Sequence, residues 1–422
     1  MKLPSKLFNF YKLKATSLSY WLIAIFSFFV FTQSAFRWWP NQSFAYGIAI
    51  DYLSPTLYLT DIIFLLLFFV VLSTTDLRKR LFTKNTQKQF LLLTGLMLIN
   101  SAVSIFVFAT MLKWIKIFEI YILWKITTTL NKKQFYNFVF KPLVCSLPII
   151  LAIAIYQMIN GTNTGVFQLL GERLINTNYP GIAKRIVFGT ELLRPYSTFS
   201  HPNSLAGFLV TLYFLNFYFL KEKLVNKAFA VLVFAVLLLG IVLTLSYSAL
   251  LVAVLLSIFL LFFPKNIFKY AFVLFIIMAT ASFLLPGIAK YLLLGNLSFS
   301  QNIYQRLIQY SFFDLNTVKE FLFGLGFNTF VKYQNTQPFQ AYSFQPIHNG
   351  PLLLLKEGGL LLIVFFGLFV YNTLKKALSS KELLVAVLCF VSLSLFDHYQ
   401  ATLQQNLLIN SFLFGLVWRE KI

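Results

Sequence analysis

Apolar runs of about twenty residues recur along this chain with few charges inside them, and no other feature restricts its fold as much. A hydrocarbon core needs about 20 apolar residues per helix, and strands are excluded from it unless they close into a barrel. Each long run therefore predicts a helix. The runs cover approximately residues 17–36, 56–73, 89–109, 111–130, 137–158, 203–220, 228–246, 247–263, 267–286, 351–372, 382–398 and 401–418. The expected fold is all-α, a polytopic helical membrane protein with about twelve transmembrane helices and a large outer loop between helices 9 and 10. Composition agrees: 59% of the residues are hydrophobic and only 11% charged, where globular chains carry roughly a quarter charged. No repeat or low-complexity linker divides the chain, so residues 1–422 read as one domain. In the fourth run Lys113, Lys116, Glu119 and Lys125 recur at helical spacing. They can snorkel or pair within a span, or equally mark an interfacial helix.

The net charge of +22 would point to nucleic acid in a soluble protein. Here the cations fall in short gaps between apolar runs, so topology accounts for them and nucleic acid is not expected as a partner. With a cytoplasmic N-terminus, the inner gaps hold Arg78, Lys79, Arg80, Lys84 and Lys88, then Lys132 and Lys133, then Lys221, Lys223 and Lys227, then Lys265 and Lys269, then Lys375, Lys376 and Lys381, and finally Arg419 and Lys421. Every second gap is basic. The opposite gaps are either a few residues long or the two polar segments at about 159–202 and 287–350, whose cations are dilute, so both segments face outward. The expected location is the cytoplasmic membrane, multi-pass, with both termini cytoplasmic. The lysines ahead of residues 18–36 resemble the start of a signal peptide, but the apolar part is long and no small-residue cleavage site follows. That stretch reads as the first span. Cys145 and Cys389 fall inside apolar runs, which argues against a disulfide and against a thiolate metal site.

Two polar segments carry the residues able to do chemistry. The first is Arg194-Pro195-Tyr196-Ser197-Thr198-Phe199-Ser200-His201-Pro202-Asn203. Helix punctuation explains Pro202 near the first helical position and Ser200 or Asn203 as a cap. It leaves unexplained an arginine and a histidine at a helix mouth, where free N–H groups favour anions. The second runs from Pro286 to Pro351. Around Arg306, the apolar residues Ile303, Leu307 and Tyr310 predict an amphipathic surface helix. Arg306 there either faces headgroup phosphates or binds a specific phosphate with its planar fork. Gly324 and Gly326 predict a tight turn before the chain returns to the membrane at His348, which either caps a helix or takes a proton from a hydroxyl. No glycine-rich phosphate loop and no paired-histidine spacing occur, so neither an intrinsic ATPase nor a metal site is expected. Asp397 and His398 lie at the outer turn between the last two runs, so all three histidines fall on one membrane face.

Arg194…Thr198-Phe199-x-His201-Pro202-Asn203, the Arg306 helix followed by Leu322-Phe323-Gly324-Leu325-Gly326-Phe327, and His348-Asn349 followed by Glu357-Gly358-Gly359 resemble the bacterial O-antigen ligase and O-antigen polymerase family. The likeness extends to Phe396-Asp397-His398-Tyr399-Gln400-Ala401-Thr402 and covers most of 170–418. The resemblance implies an inverting glycosyltransferase, independent of metal and ATP and needing no cofactor. It would transfer glycan from an undecaprenyl-diphosphate carrier to a lipid, glycan or protein acceptor at the outer membrane face. Carried over by position, Arg194 and Arg306 would hold the diphosphate and His348 would orient or deprotonate the acceptor hydroxyl. His201, Asn203, Asn349, Lys332, Asp397 and His398 would contact substrate. Two positions depart from the family pattern. Ser246-Tyr247-Ser248 stands where Ser-Arg is frequent, and Tyr310 follows Arg306 where ligases tend to have leucine. Both weaken the ligase assignment relative to the family one, so a repeat-unit polymerase is the alternative. From another class, a transporter or flippase of the same lipid-linked sugar would show broken helices and charges within the spans.

Overall fold

The computed structural model describes residues 5–45, 47–179, 181–262, 277, 280–294, 301–311, 313–334 and 345–419. Its long helices are α1 (Ser5–Phe29), α2 (Leu59–Ser73), α3 (Lys84–Ala102), α4 (Val107–Thr128), α5 (Lys132–Asn160), α6 (Pro202–Lys221), α7 (Lys227–Leu243), α8 (Tyr247–Phe262), α9 (Gly350–Ala377), α10 (Lys381–Phe396) and α11 (Gln404–Val417). Every predicted run except the ninth coincides with one of them; the ninth, 267–286, lies mostly outside the described residues. The protein is predominantly helical. By length and composition α5, α6 and α9 are each long and apolar enough to cross a membrane, and α2 qualifies when joined to Thr75–Leu81, from which it is bent by 105°. Helices α7, α8, α10 and α11 fall short of the runs that predicted them by one to four residues.

α6 is the axis of the bundle. α7, α8, α10 and α11 pack around it, and Leu205, Phe208, Leu212, Leu215 and Phe219 are fully buried at helical spacing. Large apolar side chains such as Leu66, Phe69, Leu91, Leu98, Leu232 and Leu255 project outward, each about half or more exposed. Soluble monomers rarely expose so much contiguous apolar surface.

Strands, which the apolar pattern did not predict, form three two-stranded antiparallel ribbons: β1 (Ala35–Arg37) with β4 (Thr56–Tyr58), β2 (Phe44–Ala45) with β3 (Ile48–Ala49), and β5 (Lys184–Val187) with β6 (Thr190–Leu193). They belong to loops, where water can satisfy their free edges. These loops gather at one end of the bundle. Gln33 donates to Ser200 and Gln405, Asn328 donates to the Tyr52 carbonyl, and the Ile105 N–H donates to the Leu325 carbonyl. The opposite end is fastened by Lys132–Glu222 and Lys221–Glu382 ion pairs. The segment between α1 and α2, expected to be one of the short gaps, is thus a structured third contributor to the loop end.

The charges of the fourth run pair inward. Lys116 contacts Asp61 and Glu119, Gln404 donates to Asp61 at 2.9 Å, and Lys113 donates to the Ala401 carbonyl at 2.7 Å. α4 packs along α11 and α3, so these charges are spent on contacts within the bundle.

The glycine motifs have a structural use that spacing did not reveal. Helix α9 breaks at Gly359 (φ 68°, ψ −176°), freeing the carbonyls of Lys356 and Glu357. The N–H groups of Leu325 and Gly326 donate to them at 2.9 Å each. Gly324 (φ 74°, ψ −167°) faces Gly359 in the same Gly-only region, and a Cβ on either would collide with the other's backbone neighbourhood. The pair is therefore a docking joint rather than a simple turn. Gly359→Ala should cost about 1–3 kcal/mol in backbone strain alone and lower the thermal midpoint of the detergent-solubilised protein by several degrees. An unchanged midpoint on size-exclusion after heating would count against the joint.

Candidate functional site

Gln157, fully buried on α5, shapes the strip that delivers Arg194. Its Oε1 accepts from the N–H groups of Tyr196 (2.9 Å) and Ser197 (2.7 Å), and its Nε2 donates to the Ser197 carbonyl at 3.1 Å. Gln405 ties Phe31 and Thr198 together through their carbonyls. The Thr198-Phe199 motif is thus mostly scaffold. At the end of the strip His201, rather than Ser200 or Asn203, caps α6: its Nδ1 accepts from the Asn203 N–H at 3.1 Å, and Pro202 takes the first helical position.

From there a polar chain crosses the loop end. Arg194, 9% exposed, donates from Nε to the Thr244 carbonyl at 3.0 Å and from Nη2 to Asn203 Oδ1. Asn203 Nδ2 donates to Asp397 Oδ2 at 3.0 Å, and Asp397 Oδ1 meets His348 Nδ1 at 3.0 Å. Asp397 Oδ1 also accepts from the His398 N–H at 2.8 Å. The Tyr310 hydroxyl donates to the His348 carbonyl at 3.0 Å and fixes that residue to the Arg306 helix, Gln301–Ser311. The three histidines share one aromatic cluster around Tyr399, whose ring centre is 4.8 Å from His201, 6.1 Å from His348 and 4.3 Å from His398.

Ionisation divides these groups. Burial pushes the Asp397 carboxyl up, but His348 by charge and hydrogen bond, then His398 and Arg306 by charge, outweigh it and hold Asp397 well below the usual carboxylate range. Burial pulls His398 down to about 3 and takes His201 well below its ordinary value, with Arg194 adding to the latter, so both are neutral. Burial, then the charge of Arg185, lowers Arg194 to about 10, and it stays charged. Among the described residues Arg306 has no hydrogen-bond or ion-pair partner, although its charge acts on Asp397.

Other expected site residues are committed elsewhere. Asn349 caps α9 by accepting from the Leu352 N–H at 3.0 Å and spends its amide on Ser282 and the Leu395 carbonyl. Lys332 lies on the short helix Phe330–Gln334, and among the described residues no hydrogen bond or ion pair joins it to the cluster. Glu357 supports the same short helix by accepting from the Phe330 N–H at 3.0 Å. At the Ser246-Tyr247-Ser248 position a guanidinium is present after all: Arg185 lies 3.9 Å over the Tyr247 ring.

Beside the cluster is a cavity of about 800 Å³. His201, Tyr399, Tyr52, Arg37, Asp51 and Arg173 line its loop end. It continues between α2 and α4 past Asp61, Lys116 and Glu119 to the apolar side chains of Phe64, Phe68, Phe118 and Leu407. Arg173 donates to the Ser200 carbonyl and pairs with Asp51, as does Arg37. Sequence reasoning passed over Arg37 and Asp51. Their signal was the length of the connection 37–55, too long for a tight turn between two apolar runs. His348, Asp397 and His398 each also offer one ligand atom, all within 4.8 Å of one another, a grouping that the scattered sequence positions hid.

No protein-family model matches the chain, and no curated protein is significantly similar to it.

Proposed function

We propose that the protein crosses the cytoplasmic membrane about twelve times and transfers a glycan from an undecaprenyl-diphosphate carrier to an acceptor hydroxyl on the outer face. The observation that carries this is the His348–Asp397 hydrogen bond at the loop end, acted on by the charge of Arg306, whose guanidinium has no partner among the described residues. Loops at one end and basic gaps at the other agree with inner cations and an outer site. A cavity that is polar at the loop end and apolar along α2 and α4 suits an amphiphile whose head must reach the cluster.

In this mechanism Asp397 keeps the proton of His348 on Nδ1, leaving Nε2 to accept the proton of the acceptor hydroxyl. The acceptor oxygen bonds to the anomeric carbon from the face opposite the carrier. The bond from that carbon to the phosphate oxygen breaks, inverting the centre and releasing undecaprenyl diphosphate. Negative charge grows on the departing diphosphate, where Arg306 stabilises it with a planar fork. Arg194, through Asn203, holds Asp397 in place.

A strain lacking the gene tests the substrate. Loss of all glycan attached to acceptor on a polysaccharide gel is expected for a ligase, and single capped units for a polymerase; an unaltered ladder contradicts both. One observation favours transport as a second reading, because the Asp61–Lys116–Glu119 network puts buried charges inside apolar helices. A transporter would release no undecaprenyl diphosphate.

A further inference from the structure

Histidine 398 is fully buried and takes no part in the transfer chemistry above. The Thr402 hydroxyl donates to the His398 carbonyl at 3.1 Å, so its oxygen is left to accept from His398 Nδ1 at 2.7 Å. That bond fixes the proton on Nδ1 and leaves Nε2 as a bare lone pair. Among the described residues Nε2 has no hydrogen-bond partner, and it lies 3.9 Å from Asp397 Oδ1. An unpartnered acceptor buried beside a carboxylate is unfavourable unless something else fills the gap.

We propose that His398 Nε2, Asp397 Oδ1 and His348 Nδ1 form a binding site for a divalent transition-metal ion of the zinc class, which competes with the proton shared by His348 and Asp397. Two imidazoles and a carboxylate with an open fourth position are a ligand set that suits Zn²⁺. Metal–ligand bonds of about 2.0–2.1 Å set tetrahedral ligand atoms roughly 3.4 Å apart. The two separations from Asp397 Oδ1, 3.0 Å and 3.9 Å, bracket that value, and all three ligand atoms lie within 4.8 Å of one another. Second contacts for the ligands already exist: Asn203 holds Asp397 Oδ2 and Thr402 holds His398 Nδ1. The charge of Arg306 opposes a dication, as it supports the Asp397 carboxylate. Removing that charge should tighten metal binding, the reverse of its effect on anion binding.

A consequence rests on the transferase reading. Metal on Nδ1 of His348 leaves its proton on Nε2, where the base is needed, so Zn²⁺ should inhibit transfer reversibly. The site itself does not depend on that reading, because its test reads metal rather than turnover.

Full-length protein in detergent, purified without a polyhistidine tag, is titrated with Co²⁺ and then with competing Zn²⁺. One Co²⁺ per chain with the intense visible bands of tetrahedral coordination is expected. His398→Gln should weaken binding at least about tenfold and Thr402→Val about tenfold or more, whereas Arg306→Ala should strengthen it. Thr402→Val keeps the test valid if His398→Gln fails to fold. Wild-type protein that binds neither ion, or variants at His398 and Thr402 that bind as tightly as wild type, would overturn the proposal.

Discussion

His348→Ala should lower glycan transfer by a factor of about 100 to 10,000, the usual contribution of a positioned general base, while the protein still reaches the membrane at its normal level. The side chain of His348 holds no helix cap among its described contacts; the cap of α9 belongs to Asn349, and the anchoring contact of His348 to Tyr310 uses its backbone carbonyl. Deleting the imidazole therefore removes the base without uncapping a helix, and takes from Asp397 its Nδ1 partner and from Tyr399 a ring contact. Asp397→Asn separates this role from a merely nearby histidine. The amide keeps the shape but presents a poor acceptor to Nδ1, so the imidazole loses its fixed tautomer and activity should fall about 100-fold or more. Initial rates at matched protein levels decide the point. Near-wild-type rates in His348→Ala would remove the proposed base.

The second large effect is expected at Arg306. Loss of one donor aimed at developing charge costs about 100- to 1,000-fold, so Arg306→Ala should reduce transfer by that order. Arg306→Lys should recover only a small part, because an ammonium keeps the charge but loses the two parallel N–H groups that match a phosphate. Arg194→Lys provides the contrast. Arg194 is buried, with Nε on the Thr244 carbonyl and Nη2 on Asn203, so its replacement should damage stability as well as rate. A lysine at 306 as active as arginine would remove the bidentate role.

The helices were legible because an apolar run of membrane length has few other solutions, and the Arg306 helix because Ile303, Leu307 and Tyr310 share one face. Pairings between distant residues were not. Lys116 finds Asp61 from 55 positions away, and Leu325 and Gly326 dock on Lys356 and Glu357 across the loop that carries His348. Spacing showed Gly324 and Gly326 as turn formers but gave no sign that Gly324 and Gly359 need each other. His348 and Asp397 were both visible as candidates. Their partnership was hidden because the bond between them spans 49 residues, and Asp397 read as a substrate contact when its oxygens are taken up by His348, His398 and Asn203.

The most direct measurement uses purified protein in lipid nanodiscs, given undecaprenyl-diphosphate-linked glycan and an extract of outer-face acceptors. Undecaprenyl diphosphate should be released in proportion to glycan transferred, with inverted anomeric configuration, and release should vanish in His348→Ala. Glycan transfer that persists in His348→Ala, or active wild-type preparations that move the lipid across the bilayer and release no diphosphate, would contradict it.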